Sequence, residues 1–260
     1  MAERPRFKAV LFDMGGTLLE YVPEASPAGL RNAREGCRRA YEWLREQGKA
    51  LPDFETFLRR HWRALRWRRP WYYLRGKELR LQGLVLRTLS RMGVEVRPEE
   101  VYDLTECYYR PFGDTLHPLP GARETLAELA GLGLRLAVVS NTAWPGYLLE
   151  EDLTRFGLLE HLEFCLFSSY FGWRKPRKRI FEQALTMLKV SAGEAIFVGD
   201  SLEDDIRGAQ RVGMRAAFLT SSPPGKHARC RITPDWTIST LTELVPIVAR
   251  EFLDVKETTR

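Results

Sequence analysis

The 260-residue chain has only four cysteines, Cys37, Cys107, Cys165 and Cys230, and no two of them form a Cys-x-x-Cys pair. That scatter speaks against a zinc framework or a disulfide scaffold. It predicts reduced thiols that pack as small hydrophobes. No apolar run approaches the roughly 20 residues that a membrane helix needs. Residues 1–8 hold no apolar stretch of the signal-peptide kind. Together these absences predict a cytoplasmic protein with no membrane partner. Internal repeats are missing as well, and one loose stretch, residues 221–230, reads as a surface loop.

Apolar residues are plentiful, at 44%, enough for a sizeable core. The length suits one large domain, or a core with a smaller second domain. The net charge of +6 is unevenly placed. Between Tyr21 and Thr115 there are 19 Lys and Arg against 13 Asp and Glu, and elsewhere the two signs balance. That asymmetry predicts two parts with different jobs.

The periodicity agrees. Phe7 to Phe12 is a short β-rich run ending in Asp13-Met-Gly-Gly-Thr17, a buried strand entering a glycine turn. Four amphipathic helices follow. Ser26-Pro27 caps the first, and Gly48 ends it. Asp53 caps the second, with Phe57, Leu58, Trp62 and Leu65 on one face. The third spans residues 77–92, and the fourth starts at Pro98. Four such helices make a small bundle. From His117 onward, strands alternate with helices: 134–139, 163–167, 195–198, 216–219 and a weak 236–239 are strands, and residues 205–212 are among the helices between them. The pattern is that of an α/β parallel sheet. The expected fold is therefore a Rossmann-like α/β core, residues 1–20 and 116–260, with a helical insert at 21–115.

Open parallel sheets bind ligands at their strand ends. Asp13-Met-Gly-Gly-Thr17 follows the first strand and Ser140-Asn141 the second. Lys175 follows the third, and Gly199-Asp-Ser-Leu-Glu-Asp-Asp205 the fourth. Several carboxylates beside one lysine repel each other unless a hard cation sits among them, and magnesium with oxygen ligands is the natural choice. The lysine, Ser140, Thr17 and nearby N–H groups would then hold an anionic substrate.

These four elements, Asp-x-x-Gly-Thr, Ser-Asn, Lys-Pro and Gly-Asp-Ser-x-x-x-Asp, in this order, resemble the haloacid dehalogenase superfamily. The helical insert is similar by position to that family's C1-type cap. The resemblance implies an Mg2+-dependent hydrolase, most naturally a phosphatase of a small phosphorylated metabolite. It implies that Asp13 is a nucleophile forming an aspartyl-phosphate. It further implies that Thr17, Ser140 and Asn141 hold phosphate and that Lys175 neutralises charge. The metal would be held by Asp13, the Gly15 carbonyl, Asp200 and Asp205, with Asp204 a possible further member.

One position departs from the family pattern. Where most phosphatases of the family carry a second aspartate, this chain has Gly15, so the usual acid–base group is missing. Such a group is worth about 10²–10⁴ in rate. Three readings stay open: Glu20 reaches back as a surrogate, the leaving group needs little protonation, or the protein is a weak or inactive binding module. Dehalogenases also lack that aspartate but have an aromatic residue there and an arginine soon after, where this chain has Leu18, Leu19 and Glu20. Phosphonatases need a cap lysine, and the available Lys49 and Lys77 read as solvated helix-end residues.

From Arg59 to Arg80 nine basic residues meet one acid, Glu78, with Trp62, Trp67, Trp71, Tyr72 and Tyr73 interleaved. The segment reads as a solvated arginine face over an aromatic core, with a surface for an anionic aromatic substrate as one alternative and a nucleic-acid surface as the least favoured. Trp144-Pro145 either lines the substrate mouth or simply starts a helix.

Overall fold

Residues 9–12 show no polar alternation because the strand they form is covered on both faces. Val10 and Phe12 enter one buried cluster, Ala9 and Leu11 the other. The computed structural model describes residues 7–23, 26–220 and 232–257. The stretch 221–230, Cys230 included, and most of residues 1–8 lie outside them.

In chain order the elements are β1 (Ala9–Phe12), β2 (Leu19–Glu20), α1 (Pro27–Glu46), α2 (Phe54–Leu74), α3 (Leu81–Ser90) and α4 (Val101–Gly113). Then come β3 (His117–Pro118), α5 (Ala122–Gly131), β4 (Arg135–Ser140), α6 (Gly146–Arg155), β5 (Phe164–Phe167), α7 (Ser168–Phe171) and α8 (Lys178–Leu188). β6 (Ala195–Gly199), α9 (Arg207–Gln210), β7 (Arg215–Leu219), β8 (Trp236–Ile238) and α10 (Leu244–Glu257) complete the main elements among the described residues. Six strands form one parallel sheet in the order β5-β4-β1-β6-β7-β8. The register aligns Val10 with both Leu136 and Ile196. Those three side chains therefore share a face, and Leu11, Ala137 and Phe197 share the other. This is the expected Rossmann-like α/β fold. Strand order reverses around β1, so a crevice opens at the carboxyl ends of β4, β1 and β6.

The four helices of residues 27–113 have a cluster of their own, with Leu44, Phe57, Leu89 and Leu104 fully buried. Local chemistry sets their ends. Ser26 Oγ accepts from the Gly29 amide at 3.0 Å, and Asp53 Oδ1 accepts from the Thr56 amide at 3.0 Å. Gly48 takes the left-handed φ of +73° that ends α1. The chain leaves and re-enters the sheet region through the antiparallel β2–β3 pair, Leu19 opposite Pro118.

Four expectations need correction. The third helix starts at Leu81 and not at 77. Residues 76–78 instead form a non-helical stretch against the core, where the Glu78 amide donates to Gly172 O at 3.3 Å and the Arg174 amide to Gly76 O at 3.2 Å. Lys77, expected in solvent, lies 3.3 Å from the centroid of the Trp173 ring, and Lys49 pairs with the buried Glu100 at 3.0 Å. The helix expected at 205–212 begins instead as a π-turn, Leu202–Ile206, with the amides of Asp205 and Ile206 both directed at Ser201 O. Trp62 is not core: it is 38% exposed, and Trp67 and Trp71 more so, because the buried face of α2 is filled by Phe57, Leu58 and His61.

Candidate active site

The strand ends in the crevice each deliver polar groups. β1 ends at Asp13, which accepts from its neighbour's amide, Met14 N to Oδ1, at 2.7 Å. β4 ends on the buried Ser140, and Asn141 follows it. The Asn141 side chain grips the peptide of Lys175 from both sides. Its Nδ2 donates to Lys175 O at 3.1 Å, and its Oδ1 accepts from Lys175 N at 2.8 Å. Asn141 is thus a positioning clamp for Lys175.

Lys175 is 1% exposed. Its Nζ stands 2.9 Å from Asp13 Oδ1 and 2.6 Å from Asp205 Oδ1. These are charge contacts rather than aligned hydrogen bonds. Burial pulls the lysine's pKa down, but the charges of Asp13 and Asp205 outweigh it and hold the ammonium above the ordinary lysine value.

β6 ends at Gly199, and Asp200 and Asp205 follow. The π-turn sets Asp205 beneath the strand end, where the Ser201 amide donates to its Oδ2 at 3.0 Å. A Cβ at Gly199 would run into that carboxylate. Gly16, with φ +81°, similarly makes room for Asp200. Asp13, Asp200 and Asp205 can each offer an oxygen within 4.8 Å of the others. Burial, then the charge of Asp13, pushes the Asp200 pKa up to about 6. Burial also raises Asp205, against the pull of Lys175. Three carboxylates share one ammonium, so the cluster carries surplus negative charge in a poorly hydrated place. An all-oxygen donor set of this kind suits a hard divalent cation.

The groups open onto a cavity of about 910 Å³. Asp13, Gly15, Ser140, Asn141, Lys175, Asp200, Asp204 and Asp205 all line it, and so does Trp144. Asp204 stands outside the three-carboxylate group, its Oδ2 facing Arg174 Nη2 at 3.8 Å. Two expected residues are not brought to the cavity. Thr17 is fully buried, its Oγ1 without a hydrogen-bond partner among the described residues. Glu20 is exposed on β2 and is not among the lining residues.

Tyr21, Glu78 and Arg174 are among the lining residues that the sequence alone did not single out. Tyr21 lies over Gly15. Glu78, 5% exposed, accepts from Ser168 Oγ at 2.8 Å and from the Leu79 amide at 3.1 Å. Arg174 stands 3.8 Å from Glu78 Oε2 and stacks on Tyr73 at 3.9 Å. These contacts tie the helical segment to the core at the cavity edge. The one sequence signal for Glu78 was its standing as the sole acid in a basic run.

Comparison with known proteins gives one family. The model of the haloacid dehalogenase-like hydrolases matches residues 7–213. The haloacid dehalogenase-like hydrolase domain-containing protein 3 of Bos taurus is 31% identical, over 86% of this chain and 85% of its own. The ribulose-1,5-bisphosphate 5-phosphatase of Halopiger xanaduensis is 29% identical, over 93% of this chain and 99% of its own. Among solved structures, the 2-haloacid dehalogenase from Pseudomonas syringae pv. Tomato DC3000 is 28% identical, with a TM-score of 0.64 over 94% of this chain and 99% of its own.

Proposed function

The chain belongs to the haloacid dehalogenase-like hydrolases, and from that premise we propose that it is a magnesium-dependent phosphatase of a small phosphorylated metabolite. Residues 21–115 act as its cap. The observation that carries the reading is the buried Lys175 held between Asp13 and Asp205 at the mouth of the crevice, with Asp200 beside them. The phosphatase named among the relatives supports it.

Asp13, Asp200 and Asp205, with the Gly15 carbonyl, would hold Mg2+, which when bound offsets charge on the carboxylates and on the phosphoryl oxygens. Asp13 attacks phosphorus, the ester oxygen leaves, and an aspartyl-phosphate forms. Water then hydrolyses it, returning Asp13 and releasing phosphate. Lys175 stabilises the charge that develops on the transferred group. Ser140 orients a phosphoryl oxygen, and Asn141 acts through Lys175.

Glu20 is a poor surrogate acid, being exposed and away from the lining. With no carboxylate at position 15, turnover favours leaving groups that depart without a proton. The test is phosphate release with Mg2+ over a panel of phosphate esters, with Asp13→Asn as control and 2-chloropropionate added for comparison. Phosphate release abolished by Asp13→Asn is expected. Halide release without phosphate release, or phosphate release unchanged in Asp13→Asn, overturns the reading.

A further inference from the structure

Next to the catalytic cavity lies a second space of about 550 Å³, walled mainly by α1, α2, α3 and α4. Tyr73, Glu78, Phe112, Ala143 and Trp144 line both, so the two spaces meet along one rim. The rim is polar on one side, at Glu78, and aromatic on the other, where Phe112 and Trp144 stack with centroids 6.1 Å apart.

Beyond the rim the walls are mostly apolar: Leu65, Leu84, Val85 and Trp62. Leu30 and Trp62 also belong to this wall, and they remain 47% and 38% exposed although apolar. Large side chains held open around a cavity of this size fit a drug-sized ligand. Of the polar members, His61 is already satisfied, with Nδ1 facing Phe57 O at 3.0 Å and Nε2 facing Tyr108 OH at 2.9 Å. Asn32 is not. Its Nδ2 is buried and has no hydrogen-bond partner among the described residues, a costly state unless a ligand brings an acceptor.

We propose that this chamber receives the leaving group of the substrate. The phosphate sits among Asp13, Ser140 and Lys175. The alcohol it is esterified to is bulky and mostly apolar, an aryl or branched alkyl group with one acceptor in reach of Asn32. A sugar phosphate fits poorly, because its hydroxyls would go unpaired against Leu65, Leu84 and Val85. The proposal rests on the phosphatase reading for the position of the phosphate, and the test separates the two.

The probes are 4-alkylphenyl phosphates from phenyl to 4-butylphenyl, which lengthen the group while leaving its basicity nearly constant. Affinity is read by calorimetry on the Asp13→Asn protein with Mg2+, and kcat/KM on the wild type. Kd is expected to fall by up to about fourfold per methylene. Two chamber-filling variants, Leu65→Trp and Ala33→Phe, are expected to flatten that series while phenyl phosphate is still bound. Asn32→Leu is expected to erase a preference for 4-(methoxymethyl)phenyl over the isosteric 4-propylphenyl phosphate. A flat Kd series, or a steep one that both filling variants leave untouched, overturns the chamber. A steep Kd series without phosphate release by the wild type keeps the chamber and sinks the phosphatase reading. Phosphate release with a flat series does the reverse.

Discussion

The ring of Tyr21 lies against Gly15: a Cβ built on Gly15 would come within 3.2 Å of Tyr21 Cδ1 and 3.3 Å of Cε1. An aromatic ring thus crowds the first atom of any side chain at the position where the family's phosphatases usually carry an acid. Gly15 is not in the left-handed region, so its backbone accepts a side chain and the obstacle is the ring alone.

Restoring the carboxylate therefore needs two changes. Gly15→Asp alone is expected to help little, because the new side chain and Tyr21 compete for space. Gly15→Asp with Tyr21→Ala is expected to raise kcat on an alkyl phosphate toward the 10²–10⁴ range typical of a positioned acid. On 4-nitrophenyl phosphate, which leaves without a proton, the gain is expected to be small. Equal effects of the single and double variants on the alkyl phosphate would count against the steric argument.

Gly16 makes a sharper demand. Its φ of +81° strains any other residue, and its missing Cβ leaves room for Asp200 Oδ2. Gly16→Ala is expected to push Asp200 out of the three-carboxylate cluster and weaken Mg2+ binding at least tenfold while the fold persists. Titration calorimetry with Mg2+ and circular dichroism read the two effects separately. Unchanged Mg2+ affinity would remove Asp200 from the metal set.

Lys175 compensates buried charge as well as serving the proposed reaction. Removing one partner of a buried ion pair costs about 3–5 kcal/mol, because the remaining charge is stranded. Lys175→Met strands Asp13 and Asp205 together. A loss of that size in urea unfolding is expected, partly recovered by Mg2+, and more so than in the wild type. If Mg2+ stabilises both proteins equally, the carboxylates are not a shared cation site.

What was legible in the sequence follows from the sheet. A parallel strand order brings every strand's carboxyl end to one edge, so Asp13, Ser140, Asn141, Lys175 and Asp200 could be gathered from strand ends alone. Asp205 was legible as a carboxylate, but its inward placement depends on a π-turn that no local pattern announced. Glu78 was hidden for a different reason. Its burial comes from a non-helical stretch, residues 76–78, docking on the core 90 residues away in the chain, at Ser168. Helical periodicity across residues 77–92 pointed the other way, and tertiary pairing overrode it. The chamber was out of reach for the same kind of reason, since it is a gap between helices and no motif marks a gap.

His61 makes the folded protein sensitive to acid. His61, 4% exposed, sits in the helical cluster between Phe57 O and the Tyr108 hydroxyl. Burial, only partly offset by the bond to Phe57, lowers its pKa from 6.5 to about 4. Between those values the unfolded chain binds a proton that the folded chain refuses, so stability must fall as pH drops from about 6.5 toward 4. The limiting slope is about 1.4 kcal/mol per pH unit, and the total approaches about 3 kcal/mol. Asp200 works in the opposite sense. Its folded pKa is raised to about 6, so acid relieves a penalty over an overlapping range. Asp205, also raised by burial, acts in the same sense as Asp200, so the wild-type curve alone mixes these contributions. His61→Gln separates them, since glutamine can still donate to Phe57 O and accept from Tyr108 but does not titrate. Urea unfolding at pH 7.5 and 5.0 is expected to show the wild type losing about 1.5–2 kcal/mol more than His61→Gln. Equal losses would mean that His61 takes up its proton as readily in the folded protein as in the unfolded chain.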